Sequence, residues 1–447
     1  MATIVGTGGS EMLVGGAEWD SISGGAGADT LMGGNGDDRI HSGEATSHSF
    51  DSRFHDERPT GLDVDGDADL IFGGAGNDLI FAGWRDSVDG GSWQVAGNKL
   101  SISFMAAGRG VHADFRLQHA GGAIDVDGGI ITSIQSVEWL EGSHFGDFLA
   151  PVGNVYSGYA SVFGRGGDDQ IVASRFTRFI DGGEGDDSIE GSPAADSVLI
   201  RGGSGNDVIA GFAAGLDGGA GDDVITGDNV IFGGSGNDTI RGNATVFAGP
   251  GDDTIQDGFL RQSIDGGEGI DQVLFMGSMA GFELGREGDA VVVRPSRGGV
   301  GGEPGDRLTG VERIRFEDFS VAYDVDGAAG TAWRLYKAAL GRLPDLTGLG
   351  FQIHDLDNAH SLRQVAANFL ASPEFQAAHG NMGDEQFVRL LYRQALERDP
   401  EAQGLAHHLA RLASGETRAD VLVGVAESQE ARAGVIGQVE NGIVYVG

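Results

Sequence analysis

Between Val162 and Val273, aliphatic residues recur in a fixed register around a glycine- and aspartate-rich hexapeptide. The hexapeptides read GRGGDD from Gly164, GGEGDD from Gly182, GGSGND from Gly202, GGAGDD from Gly218, GGSGND from Gly233, AGPGDD from Ala248 and GGEGID from Gly266. Two residues before each stands Val162, Ile180, Ile200, Leu216, Ile231, Val246 or Ile264. Two residues after its last Asp stands Ile171, Ile189, Ile209, Ile225, Ile240, Ile255 or Val273. A spacing of two keeps side chains on one face of a strand, so each hexapeptide is a turn between two short strands that point an aliphatic residue inward. Stacked, the pattern predicts two Ile/Val/Leu ladders.

The hexapeptides begin 18, 20, 16, 15, 15 and 18 residues apart. That is too short for a strand-helix-strand crossover and suits one coil of a two-sided solenoid, with all seven turns on one edge. Glycine supplies backbone angles that let carbonyl oxygens converge without a Cβ in the way, and the last Asp of each turn adds a carboxylate. Calcium takes six to eight oxygen ligands at roughly 2.3 to 2.6 Å, so an ion midway between two turns spans about 4.8 Å, the usual separation of paired strands.

These residues resemble the glycine-rich nonapeptide repeats of RTX (repeats-in-toxin) proteins, with the pattern GGxGxDxUx. The resemblance implies a parallel β-roll with Ca2+ between stacked turns. Carried over position by position, it implies metal-ligating carboxylates at Asp169, Asp187, Asp207, Asp223, Asp238, Asp253 and Asp271, assisted by turn carbonyls. Arg165, Ala248 and Pro250 depart from the pattern. Strict tandem nonapeptides place such turns on both edges, whereas the alternate half-coils here, as at 172–179 and 192–198, lack the motif. The expectation is a one-sided calcium spine opposite a calcium-free edge, its seven turns leaving six gaps.

The N-terminal part, 1–88, reads as a first, shorter roll. GGAEWD from Gly15, GGAGAD from Gly24 and GGNGDD from Gly33 follow at a spacing of nine, with Leu13, Ile22, Leu31 and Ile40 inward. VDGDAD from Val64 and GGAGND from Gly73 resume the roll after an insertion at 41–62. The resemblance places further metal carboxylates at Asp20, Asp29, Asp38, Asp69 and Asp78. His41, His48 and His55 in the insertion share no face on a helix or strand and read as a solvated loop. The run Asp63, Asp65, Asp67 lacks the glycine and glutamate positions of an EF-hand and belongs to the roll. Segments 89–151 and 276–327 alternate in strand fashion and are expected as a connector and a cap that close the rolls. Within the second, 281–293 reads as a hairpin. The main roll spans 152–275.

From 328 to 447 the apolar period becomes helical. TAWRLYKAALGRLPDLTGLGF and RLLYRQALERDPEAQGLAHHL are two copies of one unit: Tyr336 and Tyr392, Arg342 and Arg398, Pro344 and Pro400, Gly348 and Gly404 lie 56 apart. Ser372-Pro373 and Asp399-Pro400 read as helix caps with proline at the first helical position. Arg342 and Arg398 are expected to join helices, and His407 and His408 to lie on the surface. The unit resembles an uncharacterised helical domain family attached to RTX repeats in secreted and surface-layer bacterial proteins. The fold class is therefore mainly β, two parallel β-rolls with strand connectors, followed by an all-α domain.

Composition sharpens this reading. There are 67 acidic and 29 basic residues, a formal charge of −38, which opposes nucleic-acid or anionic-membrane binding and disfavours a compact state unless cations are bound. No cysteine is present among 447 residues, which leaves neither disulfide nor thiolate site. The start, MATIVGTGGSEMLVGG, lacks a basic n-region and apolar h-region, and no run of 18 apolar residues occurs; neither a signal peptide nor a membrane span is expected. The resemblance implies export through a type I secretion apparatus, with folding driven by calcium outside the cell. No HExxH, GxSxG or Walker A motif is found, and the chain is expected not to be an enzyme. The function expected is that of an extracellular or cell-surface calcium-binding protein whose helical domain contacts a surface component or assembles with itself. The alternatives are an extracellular polysaccharide-acting enzyme, which would need a catalytic Asp or Arg on the solenoid surface, and a calcium-dependent adhesin.

Overall fold

A computed structural model describes residues 1–43, 66–92, 97–116, 123–126, 128–152, 159–192, 198–258, 262–296, 305–358 and 360–447. Two compact units divide the chain, Met1–Gly269 and Ile270–Gly447.

In the first unit each glycine turn hands the chain from one parallel sheet to another. Ile180, Ile200, Leu216, Ile231, Val246 and Ile264 pair as direct neighbours in one sheet, and Ile171, Ile189, Ile209, Ile225, Ile240 and Ile255 in the second. None is more than 1 % exposed. These are the two predicted ladders, and each buried aliphatic side chain contributes about 1.5–3 kcal/mol. Neighbouring parallel strands need a connection of a dozen residues or more, and here the opposite sheet and its far loop provide it in place of a helix. The N-terminal turns alternate between edges, so Ile22, Ile40, Ile80 and Leu100 stack in one sheet while Leu13, Leu31, Ile71 and Val88 stack in another.

Segment 89–151 carries rungs of the same architecture. Strands Lys99–Ser103 and Ser136–Glu141 pair in parallel with each other and with Leu79–Ala82 and Ala160–Gly166. The segment thus continues the ladder instead of closing it, because Leu100, Ile102 and Leu140 keep an inward aliphatic residue at every rung although the glycine turns have gone. Among the described residues of the segment, only Ile124–Val126, antiparallel to Gly129–Thr132, breaks the parallel order. On the outward face Trp139 stacks on Phe163, with ring centroids 4.1 Å apart, and Phe163 leans on Phe179 at 5.4 Å. Arg165, at the second glycine position, sits at a left-handed φ of 84° and extends to the buried Glu141 carboxylate at 2.6 Å, which explains its departure from the repeat. The insertion histidines His48 and His55, with Asp63 and Asp65, lie outside the described residues; His41 is buried, stacked on Phe81 at 4.2 Å, with Nε2 accepting from Arg39.

The second unit contains the expected hairpin, Phe282–Glu287 against Ala290–Pro295. Its described residues include eight helices: α1 Ala328–Leu340, α2 Leu346–Asp357, α3 Leu362–Ala371, α4 Pro373–His379, α5 Asp384–Ala395, α6 Ala402–Ala413, α7 Arg418–Ala426 and α8 Gln429–Val439. They form two four-helix copies. Arg342 grips Glu374 at the start of α4 through two hydrogen bonds of 2.7 and 2.8 Å, and Arg398 grips Glu430 at the start of α8 at 2.6 and 2.8 Å. Each guanidinium also lies over a tyrosine, Tyr336 or Tyr392. Both arginines therefore join helices, as expected, and the glutamates share the same 56-residue offset.

Two details differ from expectation. Ser372 caps α4 as foreseen, accepting from the Phe375 N–H, but α6 starts at Ala402 after Glu401 rather than at Pro400. Asp399 is drawn to Arg393 at 2.7 Å, and Glu401, one methylene longer than the capping Asp345 of α2, reaches Arg398 instead of the helix end. His408 is not on the surface: it is 8 % exposed and packs edge-on against Tyr392. Burial holds its pKa below the ordinary imidazole value.

Among the described residues of this unit, charged groups are buried with partners of their own, Arg334 among them. Arg334, 2 % exposed, donates twice to Glu427 at 2.8 Å, to the Val325 carbonyl at 2.7 Å and to Thr331 Oγ1 at 3.0 Å. Removing one partner of a buried ion pair costs about 3–5 kcal/mol because the other charge is stranded. Arg334→Ala is expected to destabilise the helical unit by that amount, read as a lower thermal midpoint at 222 nm; an unchanged midpoint would show that Arg432, which also reaches Glu427, suffices alone.

Candidate metal centre

The turns are built on left-handed glycines. Gly203 and Gly205 have φ of 126° and 127°, and a Cβ on Gly203 would lie 2.1 Å from the Gly183 carbonyl oxygen of the preceding turn. Only glycine lets turns stack this closely.

Each turn's last Asp is folded inward, and one carboxylate oxygen, Oδ1, accepts the backbone N–H of the equivalent residue one rung earlier. The bonds run Asp147 to Asp169, Asp169 to Asp187, Asp187 to Asp207, Asp207 to Asp223, Asp223 to Asp238 and Asp238 to Asp253, all at 2.7–2.9 Å. In the N-terminal roll Asp20 donates to Asp38, Asp38 to Asp78 and Asp29 to Asp69. The structure thus gathers the sequence-predicted carboxylates into one long column and two short ones. Asp271, fully buried, belongs to the second unit, where its N–H donates to Glu312.

The other oxygen, Oδ2, is buried without a hydrogen-bond partner in Asp38, Asp78, Asp169, Asp187, Asp207, Asp223 and Asp238. It lies under the first glycine of its own turn, beside the carbonyl of the next. A Cβ on Gly202 would stand 2.1 Å from Asp207 Oδ2 and 2.5 Å from the Gly218 carbonyl oxygen, and Gly182 has the same neighbours in its own rung. Two acceptors thus face one small space with no donor, an arrangement that is costly without a cation. Burial, reinforced by neighbouring aspartates, pushes Asp169 up to about 8, Asp207 and Asp238 to about 7, and Asp78, Asp187 and Asp223 to about 6. No three acidic or imidazole side chains converge on one point among the described residues, because each rung lends one carboxylate and the remaining oxygens are backbone. An all-oxygen set of this kind suits a hard divalent cation such as calcium.

Other rungs are closed by the protein itself. Asp20 Oδ2 accepts the Gly16 N–H at 2.6 Å and Oδ1 the Ala2 N–H, and these bonds hold its carboxyl below the usual value. Asp86 accepts from Gly83 and Asp69. Asp147 accepts from the Ser143 N–H and hydroxyl and from the Val111 N–H. Sequence reasoning missed Asp147, although GSHFGD from Gly142 keeps the first glycine and the final Asp of the repeat.

It also missed a second, exposed ladder at the residue before the last Asp. The N–H of Asp186 donates to Asp168, Asn206 to Asp186, Asp222 to Asn206, Asn237 to Asp222 and Asp252 to Asn237, at 2.6–3.0 Å. This ladder points opposite to the buried one, so successive N–H groups of each turn are satisfied from its two neighbours. The recurrence of Asp or Asn at that position was the available signal.

Stacked glycine turns over columns of buried carboxylates, joined in sequence to a helical unit, define a calcium-binding repeat protein of the parallel β-roll class. The repeats match the family described as RTX calcium-binding nonapeptide repeat (4 copies) at 5–44, 62–84, 199–213, 216–240 and 226–255, and the helical unit matches a domain of unknown function, DUF4214, at 366–435. RTX nonapeptide repeats bind calcium ions. No curated protein matches the chain. Among solved structures, the crystal structure of extracellular lipase LipA from Serratia marcescens aligns at 14% identity over 69% of this chain and 37% of that one, with a TM-score of 0.12. The chain therefore spans well under half of that enzyme, and so low a score carries no argument for fold or activity.

Proposed function

We propose that this is a secreted calcium-binding protein whose rolls fold on calcium after export and whose helical unit serves attachment or assembly at the cell surface. One observation carries the reading: the columns of buried Asp Oδ2 atoms that meet carbonyl oxygens and no donor. In this reading Asp38, Asp78, Asp169, Asp187, Asp207, Asp223 and Asp238 lend the carboxylates, together with Asp29, Asp69, Asp253 and Asp271 at the same turn position. Asp20, already satisfied by backbone N–H groups, contributes least. The sites do not exist in an unfolded chain, so binding energy becomes folding energy, and the ions offset part of the −38 charge. RTX repeat proteins are typically secreted. Among the described residues no helix is long and apolar enough to cross a membrane.

A calcium titration followed by far-UV circular dichroism and light scattering, with magnesium as control, tests both halves. The expected result is a sharp gain of β-structure at about 0.1–1 mM calcium, the range of extracellular modules, with particle growth if the chain assembles. A chain fully folded in chelator and indifferent to calcium would overturn the metal reading; folding without particle growth or surface binding would remove the assembly role.

A further inference from the structure

The N-terminal column does not end in a carboxylate. After Asp20, Asp38 and Asp78, the residue in register is Asn98, fully buried, whose Oδ1 accepts the Asp78 N–H at 3.0 Å as the next Asp does elsewhere. Its Nδ2 donates to the Gly90 carbonyl at 2.5 Å and to the Ser133 carbonyl at 3.3 Å. The orientation of the amide follows from its partners: a backbone N–H can only donate and the two carbonyls can only accept.

The surroundings are those of a metal turn. A Cβ on Gly90 would meet the Ser133 carbonyl oxygen at 2.4 Å and Asn98 Nδ2 at 2.7 Å, just as one on Gly182 would meet the Gly202 carbonyl oxygen at 2.5 Å and Asp187 Oδ2 at 2.1 Å. One atom has changed, and with it the sign of the interaction. Where Asp187 sets an acceptor against an acceptor and calls for a cation, Asn98 sets a donor against the same carbonyl. The far edge of the main roll uses the same chemistry: Asn229 Nδ2 donates to the Ala213 carbonyl at 2.7 Å, and Gln262 Nε2 to the Gly242 carbonyl.

We propose that Asn98 closes its turn in place of an ion, so that the calcium run of the N-terminal roll stops at Asp78 and the choice of Asn or Asp at position 98 decides whether a further cation is held. The inference rests on the calcium reading above. It implies that the two calcium-bearing stretches are separated by rungs the protein satisfies by itself, at Asp86, Asn98 and Asp147.

The experiment counts calcium per chain by equilibrium dialysis on the full-length protein and its variants. Asn98→Asp restores the facing acceptors and should hold one ion more than wild type, with folding displaced to higher calcium. The converse, Asp187→Asn, should hold one ion fewer, yet reach half-folding at severalfold lower calcium than Asp187→Ala, because the amide closes the turn that alanine leaves open. An unchanged ion count in folded Asn98→Asp overturns the proposal. Should that variant fail to fold even in saturating calcium, an Asp187→Asn midpoint no lower than that of Asp187→Ala overturns it instead. Wild-type protein that binds no calcium at all sinks the underlying reading, a result separate from either.

Discussion

Asp223→Ala is expected to raise the calcium midpoint of folding at least tenfold and to flatten the transition, while Asp223→Asn does much less. Asp223 does two things in the middle of the long column. Its Oδ1 accepts the buried Asp207 N–H at 2.8 Å, and its Oδ2, without a hydrogen-bond partner, faces the Gly233 carbonyl beneath Gly218. Alanine removes both. Stranding a buried N–H costs about 1–3 kcal/mol, and an ion present at a hundred times its dissociation constant contributes about 2.7 kcal/mol that is then lost. Asparagine keeps the oxygen that holds Asp207 and offers Nδ2 to the carbonyl, so only the ion is lost. In a solenoid each rung contacts only its neighbours, so a gap at Asp223 divides the column into the stretches ending at Asp207 and beginning at Asp238, which is why the transition broadens. Asp222→Ala is the control: it removes an acceptor from the exposed ladder, where water replaces it, and such surface changes usually stay within about 0.5 kcal/mol. Equal midpoints for Asp223→Ala and wild type in the circular dichroism titration would falsify the spine.

The spine was legible because two independent periods coincide in it. The aliphatic residues two before and two after each turn gave the ladders, and the glycines gave the edge. Where one period lapsed, legibility went with it. Segment 89–151 kept Leu100 and Leu140 inward but lost the glycine turns, so its rungs looked like a connector. Asp147 was hidden because Ser143 and Phe145 stand where glycines do elsewhere, and Ser143 brings the hydroxyl donor that now closes its turn. Asn98 could not be recognised at all, since its loop is three residues longer than the repeat and only three-dimensional register aligns it with Asp78. In the helical unit the 56-residue offset marks the duplication, and Glu374 and Glu430 obey it, but their pairing with Arg342 and Arg398 is set by the fold and not by local pattern. His408 reads as a surface residue beside His407, yet Leu405, His408 and Leu412 lie three and four apart, on one helical face. Local pattern predicted which residues turn inward, while the partner of each inward polar atom depended on the neighbouring rung.

Apparent calcium affinity is expected to fall steeply between pH 8 and pH 6, with protons released on binding. In the calcium-free fold, burial lifts Asp169 to about 8 and Asp207 and Asp238 to about 7, against an ordinary value of 3.8. These are raised carboxyls, so the folded, metal-free turn binds protons more tightly than the unfolded chain. Below about pH 4 both states are protonated and these groups cost nothing. As pH rises from 3.8 towards the folded values the unfolded chain ionises first, and the calcium-free roll loses stability until each group has ionised in both states. Calcium reverses the balance because it requires the ionised form. At pH 8 it displaces few protons; at pH 6 it must displace one from each ligand whose value lies above the pH, and each such proton weakens apparent binding by up to about tenfold per pH unit. Two measurements follow. The calcium midpoint should move to higher concentration at pH 6 than at pH 8, with proton release detectable in weakly buffered solution, while in chelator the same acidification should increase β-structure. A midpoint independent of pH, with no proton release, would mean that the carboxylates are already ionised by other partners and that the buried acceptors are not what calcium relieves.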